Sequence, residues 1–474
     1  MSVFYKPENA WAADFIPFYW QGQHHLFYLK DYRDPEGVGP GVDWFHIATS
    51  DFVNFEDWGE ALHRGARESQ DLYAFTGSAI EHAGTFHIFY TGHNFDYVAL
   101  NKPQEAILHA TSPDLRTWTK DPDFFFLAPT AEGYESHDWR DPFVVWNPQK
   151  QEWLMLLAAR KTTGPSRHRG LVACATSPDL KNWTVTKPFW EPDLYFTHEC
   201  PDLFKFGDWW YLIWSEFSDR QVTRYRMSRH QTGPWLRPAD DCFDTRAYYA
   251  AKTGGDEQQR YMFGWLATRE GETDTGNWQW GGSLVVHELR QRPDGTLAVQ
   301  IPENLASLHK QDLPLQSTPV LGQWQTAADS FSSDTPTGLA ALLVAEHPEE
   351  STFRATVQYA PGTASFGLLL HAAEDLAHYY QVRFEPDSQR VVFDLWPRPG
   401  DKPFIFERPM GLQPDTAIEV TCLTSGSCVV IYINSEIAIS CRMYDHTGGF
   451  FGLFAAEGSA SFAGVTVKVV EADN

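Results

Sequence analysis

A chain of 474 residues is too long for one ordinary compact core and points to two domains. Hydrophobic residues at 43% and charged residues at 21% are a globular protein's proportions, while 37 basic against 62 acidic side chains leave a formal charge of −25. So acidic a surface repels phosphate backbones and anionic membranes; neither nucleic acid nor membrane is an expected partner, and a neutral small molecule is the easier fit.

A solvated acidic surface accounts for the charge equally well. Aromatic residues reach 15%, with 19 Trp, 19 Tyr and 33 Phe. Indole and phenyl faces in that number suit pleated sheets and sugar rings. The opening MSVFYKPENAWAADF shows no basic segment followed by an apolar core, so no signal peptide is expected, and no apolar run is long enough to span a bilayer. The six cysteines, Cys174, Cys200, Cys242, Cys422, Cys428 and Cys441, form no CxxC pair and have no zinc-like spacing. Scattered thiols of this kind read as reduced, and a cytoplasmic location is expected.

Along the chain, aromatic-rich apolar strands recur at a steady interval: HHLFYL (24–29), TFHIFYTG (85–92), EWLMLLAA (152–159), DWWYLIWS (208–215) and RYMFGWL (260–266). Three are followed by near-copies of one phrase, ATSDFVNFEDW (48–58), ATSPDLRTW (110–118) and ATSPDLKNW (175–183), with YRMSRHQTGPW (225–235) a weaker fourth. Short strands repeated every ~50 to 65 residues are the mark of a β-propeller, here with five blades. The pattern stops near Glu303. Residues 306–326 read as a linker with a strand or two, and 327–474 as short alternating strands of a β-sandwich. The expected organisation is therefore all-β: a propeller over 1–305, a linker, and a sandwich.

The repeats put carboxylates in comparable places. Asp14 lies 13 residues before Phe27, Asp141 lies 15 before Leu156 and Glu199 lies 14 before Ile213; in the second repeat the place falls at Gly77-Ser78. Each should start the innermost strand of a blade, so the three acids should face one another around the central channel. Like charges that close push at least one pKa upward, which a fold tolerates where chemistry or a cation needs it. A Ca²⁺ cage is the competing use, but no DxDxDG-type loop supplies it. Opposed carboxylates suit glycoside cleavage, one attacking the anomeric carbon and one protonating the leaving oxygen.

These residues sit in stretches that resemble glycoside hydrolase family 32, the invertase, levanase and inulinase family, over nearly the whole chain. WRDPFV (139–144) looks like its RDP motif and ECPDLF (199–204) like its EC motif. FTGSA (75–79), WFHIATSDF (44–52), FDTRAYYAAKT (243–253), WGGSLVVHELRQRPDGTLAVQIPE (280–303) and GGFFGLFAAEGSASFAGVTV (448–467) are similar to further family stretches. The resemblance implies a five-bladed propeller plus a β-sandwich, and cleavage of β-fructofuranosidic bonds by double displacement. Carried over by motif, Asp14 would be the nucleophile and Glu199 the general acid/base. Asp141 would stabilise the transition state, with Arg140 pairing it. Trp44, Phe75 and Ser78 would line the sugar subsite, Cys200 would be a small neighbour of Glu199, and Asp244, Tyr248 and Lys252 are further site candidates. No cofactor or metal is implied. A fructosyltransferase, another furanosidase and a silent carbohydrate-binding propeller are the alternatives.

One stretch departs from the pattern. The family's WMNDPNG is here WAADFIPFY (11–19), so Ala13 replaces an Asn, and Leu29 stands where a Gln follows HLFY. Each unpaired sugar hydroxyl would cost about 1–3 kcal/mol. His25, Asp31, Arg33 and Asp43 are the candidates to supply replacement contacts.

Overall fold

The computed structural model describes residues 3–34, 36–256, 258–400 and 404–471. Its first part is five small antiparallel sheets. Blade one consists of Trp11–Trp20, Gln23–Asp31, Asp43–Thr49 and Glu56–Leu62. Blades two, three, four and five begin at Tyr73–His82, Tyr134–Asn147, Glu199–Phe206 and Tyr248–Gly255. The ring closes where Ala12 of blade one pairs with Gly282 of blade five, fusing the two sheets.

The repeated phrase has a definite job. In each copy an aspartate, Asp51, Asp114 or Asp179, accepts backbone N–H groups of the next turn, and the apolar residue that follows it has φ near +64° (Phe52 64°, Leu115 63°, Leu180 65°). Trp118 and Trp183 close the turn by donating Nε1–H to the carbonyls of Leu115 and Leu180. The phrase is thus the corner that leads out of the third strand in blades one, two and three, its carboxylate satisfying donors that the turn leaves free.

The innermost strands share a second device. Each carries a β-bulge, and the bulged residues line up across the blades: Asp14, Thr76, Asp141, Cys200 and Ala250. Four of the five adopt left-handed φ, 44° at Asp14, 57° at Asp141, 51° at Cys200 and 50° at Ala250. A bulge bends the strand and re-aims a side chain, here toward the axis of the ring. Five equivalent bulges give five side chains aimed at one place.

From Gln311 onward the strands belong to one thirteen-stranded sheet that wraps into the β-sandwich, with the long strand Phe450–Val469 as its spine. The expected linker is not outside this sheet. Gln311–Asp312 pairs with the spine, and Thr318–Leu321 and Gln325–Thr326 pair with Phe331–Glu346. Their partners are long strands with open edges, which accept even two-residue additions. All six cysteines are free and buried. Cys422 pairs in register with Ile431, and Cys428 with Ser425, so the two do not face each other.

A polar seam joins the two parts. Arg442 of the sandwich donates to the carbonyls of Leu266 (3.0 Å) and Ala267 (3.2 Å) in blade five, and Arg408 donates to Asp240 (2.6 Å) and the carbonyl of Cys242 (2.9 Å).

Candidate active site

At one end of the propeller axis the bulges open into a cavity of about 530 Å³, within the usual range for a small-molecule site. Asp14, Asp141 and Glu199 all line it, with Arg140, Cys200 and Phe75. The register differs by one residue from the sequence expectation. Cys200, not Glu199, is the equivalent of Asp14 and Asp141; Glu199 is equivalent to Arg140, Phe75, Tyr249 and Ala13. In blade two the equivalent of Asp14 is Thr76, not Gly77 or Ser78. The site therefore draws on two successive layers of the ring. Counting along the chain cannot separate them, because the bulge inserts a residue and blade loops differ in length.

Each carboxylate has its own surroundings. Asp14 accepts hydrogen bonds from Thr76 Oγ1 (2.6 Å) and Trp265 Nε1 (2.9 Å). Burial dominates and its carboxyl is pushed up to about 6, those two donors and the more distant Lys252 ammonium acting against the rise. Asp141 accepts the backbone N–H of Cys200 (2.9 Å), and its own N–H is fixed on Thr91 Oγ1 (2.8 Å). It is 4% exposed and is pushed up to about 7, mainly by burial and further by Glu199 and Asp14, with Arg140 opposing. Glu199 receives Arg140 Nη2 at 3.0 Å and the Tyr249 hydroxyl at 2.7 Å.

Arg140 ties the acids together. Its guanidinium reaches Asp138 (2.6 Å) and Glu199 (3.0 Å), with Glu105 at 3.6 Å and Asp141 at 4.0 Å. Glu105 is a fourth carboxylate on the cavity wall, held by the N–H of Trp139 at 2.7 Å.

Several expected site residues stand behind the wall instead of on it. Trp44 is fully buried and donates Nε1–H to the carbonyls of Ala74 and Phe75, so it braces the strand that carries Phe75 and Thr76. Ser78 accepts the N–H of Val144 (3.0 Å) and locks blade two to blade three. Lys252 is buried, its ammonium on the carbonyl of Gly77 (2.7 Å). Tyr248 packs against His287 with ring centres 4.6 Å apart, and Asp244 sits in the seam with the sandwich. The tyrosine that faces the cavity is the next one, Tyr249: the bulge at Ala250 sets which of the pair turns inward.

Of the proposed replacement contacts, Asp31 and Arg33 line the cavity. Arg33 crosses to blade five, donating to Gln279 Oε1 (2.9 Å) and the carbonyl of Trp280 (2.7 Å). His25 is buried against His46, ring nitrogens 3.0 Å apart, and Asp43 accepts the N–H of Arg64. Both lie off the cavity. Asp43, Glu60 and His63 bring ligand atoms within 4.8 Å of one another, but this group also stands outside the cavity, and His63 pairs with both acids. Thr76, Trp265, Tyr249 and Glu105 were not singled out from sequence. Thr76 alone carried a signal, its place in the repeat.

Against known proteins, the model of the glycosyl hydrolases family 32 N-terminal domain matches residues 4–300, and that of the family's C-terminal domain matches 322–469. A sucrose-6-phosphate hydrolase of Vibrio alginolyticus is 26% identical over 358 residues, 66% of this chain and 66% of that protein. A levanbiose-producing levanase of Bacillus subtilis is 24% identical over 60% of this chain and 56% of its own length. The matches thus span two thirds or less of those relatives. Among solved structures, an exo-inulinase of Aspergillus awamori superposes with a TM-score of 0.74 at 18% identity, covering 100% of this chain and 99% of that one. A fructan 1-exohydrolase of Cichorium intybus, solved with 1-kestose, superposes with a TM-score of 0.71 at 16% identity, covering 99% and 98%. The two family models between them take in the propeller and the sandwich, and the chain belongs to glycosyl hydrolase family 32.

Proposed function

We propose that this protein is a glycosidase that hydrolyses β-fructofuranosidic bonds with retention. The observation that carries the reading is the convergence of Asp14, Asp141 and Glu199 on one cavity, each with different partners. Two hydrogen-bond donors hold the Asp14 carboxylate and favour its ionised form, as a nucleophile requires. Glu199 lies on the adjacent layer, where it protonates the leaving oxygen in the first step and takes a proton from water in the second. Asp141, fixed through its own N–H and that of Cys200, holds sugar hydroxyls as positive charge develops on the ring.

An uncharged substrate fits the electrostatics. Six carboxylates line the cavity (Asp14, Asp31, Asp34, Glu105, Asp141, Glu199) against two guanidinium groups, Arg33 and Arg140, both already engaged by the protein's own acceptors. The sugar-active relatives and the 1-kestose held by the Cichorium protein support a fructose-containing oligosaccharide as that substrate. We place the enzyme in the cytoplasm on the strength of its six unpaired thiols; cell fractionation tests this.

The experiment for the reaction is product analysis with sucrose, inulin and levan. Release of free fructose, first formed as the β-anomer, is expected. Longer oligomers or dianhydrides would instead make it a transferase, and α-fructose would contradict retention.

A further inference from the structure

The seam between propeller and sandwich opens into a second crevice, of about 190 Å³. Arg246, Arg269 and Trp278 line it from the propeller, and Asp394 and Arg398 from the sandwich, with Asp274 between them. The arginines differ in one respect. Arg398 is paired with Asp394, whose carboxylate also receives Arg383. Among the described residues Arg269 donates only to backbone, the carbonyls of Asp274 (2.7 Å) and Gly276 (3.4 Å), and its Nε is buried without a partner. Among the described residues the Arg246 side chain has no hydrogen-bond or ion-pair partner; its Nη1 is buried and unsatisfied, and what touches it is the face of Trp278, 5.2 Å from the ring centre. Arg269 lies over the same indole at 3.8 Å.

Two guanidinium groups share one ring, repel each other, and leave N–H donors unfilled in a chain with a net charge of −25. The acids among the described residues of the crevice do not neutralise them. Asp274 is occupied by the Tyr380 hydroxyl and the N–H of Tyr444 (3.1 Å), and Asp394 by Arg383 and Arg398. A cation–π contact offsets part of the cost of an unpaired charge, but it does not satisfy an N–H. Planar donors in a crevice of this size match a tetrahedral oxyanion.

We propose that this crevice binds a phosphate group, free or as a sugar phosphomonoester, on the guanidinium groups of Arg246 and Arg269. Its lining shares no residue with that of the catalytic cavity.

The test is thermal unfolding of the full chain with inorganic phosphate, fructose 6-phosphate or sodium chloride at matched ionic strength. Tm should rise with the logarithm of phosphate or ester concentration and not with chloride. A response to the ester alone identifies a phosphomonoester; a response to both identifies the phosphate group itself. Arg246→Gln should be at least as stable as the parent in phosphate-free buffer, should lose the shift, and should hydrolyse sucrose normally. Arg246→Lys, which keeps the charge but not the planar fork, should weaken binding at least tenfold in calorimetric titration. Absence of any shift beyond chloride, or an unchanged shift in Arg246→Gln, overturns the proposal.

Discussion

Two buried aspartates show how one side chain serves opposite ends. Asp141 faces the cavity, accepts one backbone N–H, and is pushed up to about 7. Asp244 is equally buried in the seam between propeller and sandwich. There it accepts the N–H groups of Thr245 (2.6 Å) and Ser440 (2.7 Å), pairs with His287 (3.0 Å) and receives the Ser440 hydroxyl, and these donors hold its carboxyl below the usual range despite burial. The saturated acid is a structural clamp. The under-satisfied one keeps capacity for a ligand, and the fold bears the cost of that.

The widest test of this contrast pairs activity with stability. Asp14→Ala or Glu199→Gln should lower kcat at least about a thousandfold while leaving Tm no lower than that of the parent. Asp244→Ala should do the reverse, losing about 3 kcal/mol of stability by stranding His287 and Ser440, with kcat of the folded fraction within a few-fold. Denaturant titration alongside sucrose hydrolysis decides; a stable but inactive Asp244→Ala would erase the distinction.

Asp141→Asn sharpens it further. A raised carboxyl pKa means the folded state disfavours the charge, so the penalty is full above about pH 7, shrinks as pH falls, and is gone below the unfolded value near 4. The amide should therefore be more stable than the parent by about 1–3 kcal/mol at pH 8, with no gain at pH 4. An unchanged or lower Tm at pH 8 would show that Asp141 is as well satisfied as Asp244.

Smaller effects should follow from the Asp14 donors. With its carboxyl near 6, the acid limb of kcat/KM should fall near pH 6 and not near 4. Thr76→Val and Trp265→Phe each remove a donor to the carboxylate and should move that limb upward. A limb that stays put in both variants would mean another group governs it.

What the sequence made legible follows the same division. The five strands, their turn phrase and the three acids were readable because repetition fixes them and because carboxylates converging from separate blades are hard to explain structurally. The one-residue offset of Glu199 was not, since alternate inward and outward positions are countable only in a regular strand and every inner strand here is bulged. Trp44, Ser78, Asp244, Tyr248 and Lys252 lie in motif stretches but behind the cavity wall: a family pattern also preserves what holds the wall in place. Trp265 could not be singled out, because an indole in an apolar strand looks the same whether it packs or donates to Asp14.

The central claim is that Asp14 attacks the sugar and Glu199 supplies and removes the proton. It is tested most directly by reacting the Glu199→Gln variant with an aryl fructoside, whose leaving group needs little protonation, and quenching in acid before peptide mass analysis. A burst of phenol and one anhydrohexose unit on the peptide that carries Asp14 are expected. A label on Asp141 or on any other residue, or no burst with the activated substrate, would contradict it.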